Sequence, residues 1–176
     1  MRIEILAISG SLRAVSSNTS LLCAAQMLAP PPVSIEIFDG LGQLPHFNPD
    51  LDVEPLPAAV VDLRARIKAA DGLLISSPEY ARGVAGAMKN ALDWIVSDTD
   101  FSGKPVALFN ASPRATHGLA ALRLTLETMA ARVIDEASLT LPLLSSPLDA
   151  QGIADDADLS RSIRSALAAL AAAIER

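Results

Sequence analysis

A short apolar run that empties into a Pro-Glu-Tyr loop and then a helix is the feature that most narrows what this chain can fold into. Gly72-Leu73-Leu74-Ile75-Ser76 is followed by Ser77-Pro78-Glu79-Tyr80 and, after Gly83 and Gly86, by an apolar segment ending at Trp94. A continuous apolar run of this length reads as a strand buried on both faces. The first apolar run, Ile3-Glu4-Ile5-Leu6-Ala7-Ile8, does the same, passing through Ser9-Gly10-Ser11-Leu12-Arg13-Ala14-Val15-Ser16-Ser17-Asn18 into a helical pattern. Two strands that each release a polar loop before a helix imply a parallel sheet. Open sheets of this kind bind ligands outside the carboxyl ends of their strands. Together the loops suggest a nucleotide phosphate at the first and a flat ring at the second, which carries the only tyrosine.

The rest of the chain fits that frame. Val33-Ser34-Ile35-Glu36-Ile37-Phe38 alternates apolar and polar residues, as a half-exposed strand near an edge does. Helices are expected over residues 57–68, 85–96 and 118–131, a fourth strand over 105–109, and the start of a fifth at Val133-Ile134. The last helix opens at residues 155–158, where aspartates suit the positive end of the helix dipole. Leu167, Leu170 and Ile174 form its apolar stripe. Strands alternating with helices give an α/β fold, a flavodoxin-like three-layer sandwich with a five-stranded parallel sheet of order 2-1-3-4-5. At 176 residues the chain suits one domain, spanning 1–176.

Charge and composition remove several function classes. A net charge of −6 with no basic block argues against nucleic acid as a partner. No apolar run approaches the roughly 18 residues of a membrane span, and no signal-type segment opens the chain. A cytoplasmic protein with no membrane partner is expected. Cys23, the only cysteine, rules out an internal disulfide and any cysteine-rich metal site; it reads as a small buried hydrophobe.

The first loop precedes a helix whose leading amides point at it, and it adds the hydroxyls of Ser11 and Ser16, the amide of Asn18 and the guanidinium of Arg13. It lacks the Gly-Lys-Ser/Thr of a P-loop and the glycine spacing of a dinucleotide turn. Taken alone it reads equally as an ordinary connection capped by Asn18, and Tyr80 as a core aromatic. Placement favours the ligand reading, because strands one and three flank the topological switch point of this fold.

At these residues the chain resembles the NADPH-dependent FMN reductase family, which includes chromate and quinone reductases. The resemblance rests on Gly10-Ser11-Leu12-Arg13-x-x-Ser16-x-Asn18, Pro78-Glu79-Tyr80, Gly83-Val84-x-Gly86 and Lys89-Asn90-Ala91-Leu92-Asp93-Trp94. Leu44-Pro45-x-Phe47-Asn48-Pro49-Asp50 is similar to the family's loop after the second strand. The resemblance implies that Ser11, Arg13, Ser16 and Asn18 hold the FMN phosphate and that Pro78, Glu79, Tyr80 and Gly83 border the flavin ring. Ser17, Arg82 and Ser112 complete the candidate cofactor set. Arg82 is also available to a nicotinamide phosphate or an anionic acceptor, or is simply solvated. The resemblance further implies a homodimer or homotetramer, and the helix bearing Met88 and Trp94 offers an apolar surface for it.

The third loop, Asn110-Ala111-Ser112-Pro113-Arg114-Ala115-Thr116-His117-Gly118, departs from the family pattern. His117 stands at the first of the usual paired glycines, and Ala120 replaces an arginine just beyond. With FMN bound, the flavin carries the chemistry and no protein residue is expected to act as a catalytic group. NADPH or NADH would donate electrons, and a small acceptor such as a quinone, azo compound, metal oxyanion or flavin would take them. The competing readings are an electron carrier or FMN-binding module without turnover, and a hydrolase or transferase acting on a nucleotide-like ligand.

Overall fold

The computed structural model describes residues 2–145 and 148–176. Its first half contains β1 (Ile3–Ser9), α1 (Ser17–Leu28), β2 (Val33–Phe38), α2 (Ala58–Ala69), β3 (Gly72–Ser76), β4 (Glu79–Tyr80), β5 (Gly83–Val84) and α3 (Gly86–Ile95). The second half contains β6 (Pro105–Asn110), α4 (Thr116–Thr128), β7 (Arg132–Val133), β8 (Leu139–Thr140), α5 (Ala150–Asp155) and α6 (Ala157–Ile174). The parallel sheet has the order β2-β1-β3-β6-β7, with β8 also pairing β6. This is the expected 2-1-3-4-5 arrangement, with β6 as the fourth strand.

The sheet separates two cores because its inner strands are apolar on both faces. Along β1, Ile5 and Ala7 pack with α1, α5 and α6, while Leu6 and Ile8 pack with α2, α3 and α4. Leu74 with Leu73, and Ala107 with Val106, repeat the division. β2 sits at an edge, and its Glu36 is exposed, as the alternating sequence implied.

The fifth strand is split. β7 pairs with Pro105 and Val106, β8 with Phe109 and Asn110, and the turn Asp135–Ala137 interrupts them. Ser138 bridges the gap: the Leu108 amide donates to its hydroxyl oxygen at 3.1 Å, and that hydroxyl donates to the Ile134 carbonyl at 2.8 Å. The final helical region is also divided. Asp149 caps α5 by accepting from the Gly152 amide, and Asp156 caps α6 by accepting from Asp158 and Leu159. The glycine inside α5 hides its helical pattern. The β4–β5 hairpin has no turn signature either. Its two loop residues, Ala81 and Arg82, take φ of 49° and 60°, where such turns favour Asn-Gly. Cys23 is half-buried, and burial raises its thiol pKa.

The segment Lys89-Asn90-Ala91-Leu92-Asp93-Trp94 ties α3 to the loop after β2. Asn90 accepts from the Phe47 amide at 2.8 Å and donates to the Pro45 carbonyl at 3.0 Å. Trp94 Nε1 donates to the same carbonyl at 2.8 Å, and its ring meets Phe47 edge-on, 5.1 Å between centroids. Trp94 and Met88 are both inside, at 0% and 1% exposure. The expected subunit anchor on this helix is therefore part of the protomer's own core. At the end of α3, Arg64 of α2 donates to the Trp94 carbonyl and pairs with Asp52. The Ser97 hydroxyl and Arg64 hold the Asp52 carboxyl below its ordinary pKa, against the opposing effect of burial.

Asn90→Ala removes both side-chain bonds to the loop and should lower stability by about 1–3 kcal/mol in urea unfolding. Lys89→Ala, which loses only an exposed i,i+4 ion pair with Asp93, should stay within about 0.5 kcal/mol of the parent. Equal losses for the two variants would contradict this account of the motif.

Candidate functional site

The register of the inner strands brings the polar loops together. Ser9 pairs with Ser76 at the carboxyl ends of β1 and β3, and the loop after β6 lies on the other side of β3. Gly10 makes this close approach possible: a Cβ there would stand 2.3 Å from Ser77 Oγ. Between the loops lies a cavity of about 620 Å³, within the roughly 300–1,000 Å³ of small-ligand sites. Its lining includes Ser11, Arg13, Ser16, Ser17, Asn18, Pro78, Glu79, Tyr80 and Ser112 of the candidate set. Arg82 and Gly83 do not line it; they sit on the hairpin turn and the strand after it.

At one end of the cavity the donors converge. Ser16, not Asn18, is the N-cap of α1, accepting from the Thr19 amide at 3.4 Å. Asn18 lies inside the first turn, buried, where it accepts from the Ser76 hydroxyl at 2.9 Å through Oδ1. That bond commits the oxygen and leaves the side-chain NH2 of Asn18 without a partner among the described residues. The first helical backbone bond of α1 runs from Ser20 to Ser16, so the amides of Ser17 and Asn18 are also open donors. Ser11 is held over the strand end by its amide bond to Ser9 Oγ, and that hydroxyl is in turn bonded to Thr19. Buried hydroxyls, unpaired helix-start amides and the Arg13 guanidinium form an anion cradle.

Two other loops complete the walls. Asn110, which sequence reasoning passed over, braces the third loop: Nδ2 donates to the Ser112 carbonyl at 2.7 Å and Oδ1 accepts from the Ser112 amide at 3.2 Å. A polar residue closing an otherwise apolar strand was the signal for it. Leu144, Leu148 and Asp149 line the far wall and belong to no recognisable motif. Glu79 does not stand free. Its carboxylate accepts from the Gly118 amide at 2.7 Å, in the first turn of α4. Tyr80, 53% exposed, sits at the cavity mouth with Val15 and Leu144.

Residues 3–143 match the family described as NADPH-dependent FMN reductase. The chain belongs to that family. FMN and a reduced nicotinamide are accordingly its cofactor and its electron donor. An NAD(P)H-dependent FMN reductase from Pseudomonas aeruginosa is 39% identical over 158 residues, covering 85% of this chain and 83% of the relative. A 2-hydroxy-1,4-benzoquinone reductase from Burkholderia sp. is 38% identical over 115 residues, 64% of this chain and 62% of the relative. The structure of FerB, an NAD(P)H:acceptor oxidoreductase from Paracoccus denitrificans, superposes with a TM-score of 0.80 at 28% identity, covering 98% of this chain and 97% of that one.

The cavity suits FMN by its donor set: open amides, buried hydroxyls and guanidinium groups share the lining with apolar side chains of Val15, Tyr80 and Leu144. The third-loop departure has a structural explanation. Gly118 is the glycine the hairpin needs, because a Cβ there would come within 2.9 Å of the Gly83 carbonyl oxygen and 3.0 Å of the Glu79 side chain. His117 is exposed, and its side chain escapes that contact. Gly118→Ala should therefore push the β4–β5 hairpin off α4 and lower stability by about 1–3 kcal/mol. Thermal unfolding of the protein checks this; parental stability would contradict the packing described.

Proposed function

We propose that the protein oxidises NADPH or NADH and passes two electrons through FMN to a small planar acceptor, with quinones as the acceptor class. The observation that carries the reading is the mixed lining of the cavity between the loops. Donors of Ser11, Ser16, Ser17 and Asn18 share its lining with the exposed Tyr80, Val15 and Leu144, past which it opens. Bound FMN supplies hydride acceptance and two-electron reduction. The chain's own task is to hold and orient. Arg13, Ser11, Ser16, Ser17 and Asn18 grip the phosphate, and Ser76 fixes the orientation of the Asn18 amide. Pro78, Glu79, Tyr80 and Ser112 border the ring, Glu79 steadied through Gly118. Gly83 supports the hairpin from outside the cavity, and Arg82 flanks the mouth. Donor and acceptor then use the same opening in turn. The quinone class is supported by the names of the Burkholderia relative and of a quinone reductase from Pseudomonas putida, 36% identical over 115 residues.

No helix among the described residues is long and apolar enough to cross a membrane. We place the protein in the cytoplasm, where reduced nicotinamide is available, and as a homodimer or homotetramer. The exposed aliphatic residues Leu51, Val53, Val61 and Val96 support the assembly. They flank the Asp52–Arg64–Ser97 network that joins the loop, α2 and the end of α3.

Stopped-flow mixing with NADPH and with NADH should bleach the flavin absorbance, and a quinone should restore it. Failure of both donors would leave the electron-carrier reading in its place. Arg13→Ala should weaken FMN binding by about tenfold or more; unchanged affinity in an equilibrium titration would remove Arg13 from the phosphate site. In sedimentation the parent should run as a dimer or tetramer and Val61→Glu as a smaller species. A parent that is monomeric at micromolar concentration contradicts the assembly.

A further inference from the structure

We propose that Arg114, with Arg82 beside the same mouth, forms a second anion subsite that recognises a negatively charged group on the molecule meeting the flavin; the inference rests on the function proposed above. The observation behind it is a census of the cations. Of the fourteen lysines and arginines, all but Arg13, Arg82 and Arg114 have a carboxylate or carbonyl partner for their side chain among the described residues. Two of the three line one cavity, and the third lies two residues from one of its lining residues. Arg13 and Arg114 line it, and Arg82 occupies the hairpin turn next to Tyr80, which also lines it.

The cavity's own carboxylates are engaged elsewhere. Glu79 accepts from the Gly118 amide and Asp149 from the Gly152 amide at the start of α5. Neither is paired with a guanidinium, so the side-chain donors of Arg82 and Arg114 stay free for a ligand. An entering anion gains charge-assisted hydrogen bonds from such free guanidinium donors.

One phosphate does not account for all three. Arg13 belongs to the loop that carries Ser11, Ser16 and Asn18, whose amides and hydroxyls would hold the FMN phosphate. Arg114 is on a different wall, in the third loop, which is rigidly built. Its own amide donates to Ser112 Oγ at 3.2 Å, and Ser112 is held by Asn110. The Arg82 turn is held against α4, since the adjoining Gly83 carbonyl packs against Gly118. Both side chains are exposed and so can reach a ligand at the mouth without reorganising the fold. Two sources of the anion fit: the ribose phosphate that distinguishes NADPH from NADH, and a sulfonate, carboxylate or enolate on the acceptor.

Equilibrium titrations of the oxidised, FMN-loaded protein separate these sources. The probes are NADP+ against NAD+, and anthraquinone-2-sulfonate against its neutral 2-hydroxymethyl analogue, each followed by the change in flavin absorbance. At least one charged probe should bind better than its neutral or less charged partner, and the preference should weaken as salt is raised. Arg114→Ala should cut that preference by about tenfold, Arg82→Ala should cut it in the same direction, and FMN affinity should stay within about twofold. A lost NADP+ preference assigns the subsite to the donor; a lost sulfonate preference assigns it to the acceptor. Absence of any charge preference overturns the proposal, as does an Arg114→Ala variant that weakens FMN as much as it weakens the charged probe. No turnover is involved, so failure of nicotinamide to bleach the flavin, which would sink the reductase reading, is a separate result.

Discussion

The parallel pairing of β1 with β3 is the constraint on which the rest of the site depends. It sets Ser9 against Ser76, and from that register the two ligand loops leave the sheet side by side. The Ser76 hydroxyl then reaches across to Asn18, so a strand end on one side fixes a side chain on a helix start from the other. A shift of one residue would turn Ser76 into the apolar layer and separate the loops. The polar end of β3, where the Ser76 hydroxyl bonds Asn18, holds the register against such a slip.

Electrostatics follow the same geometry. The open amides of α1 and the Arg13 guanidinium face one end of the cavity, and the acidic residues nearby are tied to helix-start amides. A protein with an overall negative charge thereby keeps amide and guanidinium donors free for an anion at this cavity, and the effect of its charges on charged partners is set by salt as well as by contact.

Much of this was legible in the sequence because its physics is local. The apolar runs, the Ser-rich loop and the Pro-Glu-Tyr loop carry their own patterns, and the alternation of strands and helices implies a parallel sheet that fits the flavodoxin-like order. What was not legible depends on distant contacts. Asn18 suits a cap by residue type, yet Ser76, 58 positions away, takes its side chain and Ser16 caps instead. Trp94 suits an interface anchor, yet Pro45 and Phe47 enclose it. The hairpin turn at Ala81 and Arg82 has no turn residues because packing against Gly118 holds it, and the broken fifth strand is mended by one serine hydroxyl.

The central claim is that the Ser11–Asn18 loop grips a flavin by its phosphate. Parallel titrations of the flavin-free protein with FMN and with riboflavin test it most directly, since the two ligands share the ring and differ only in the phosphate. Several charge-assisted bonds at about 1.5–3 kcal/mol each predict that FMN binds at least a hundredfold more tightly. Equal affinity for the two would contradict the account.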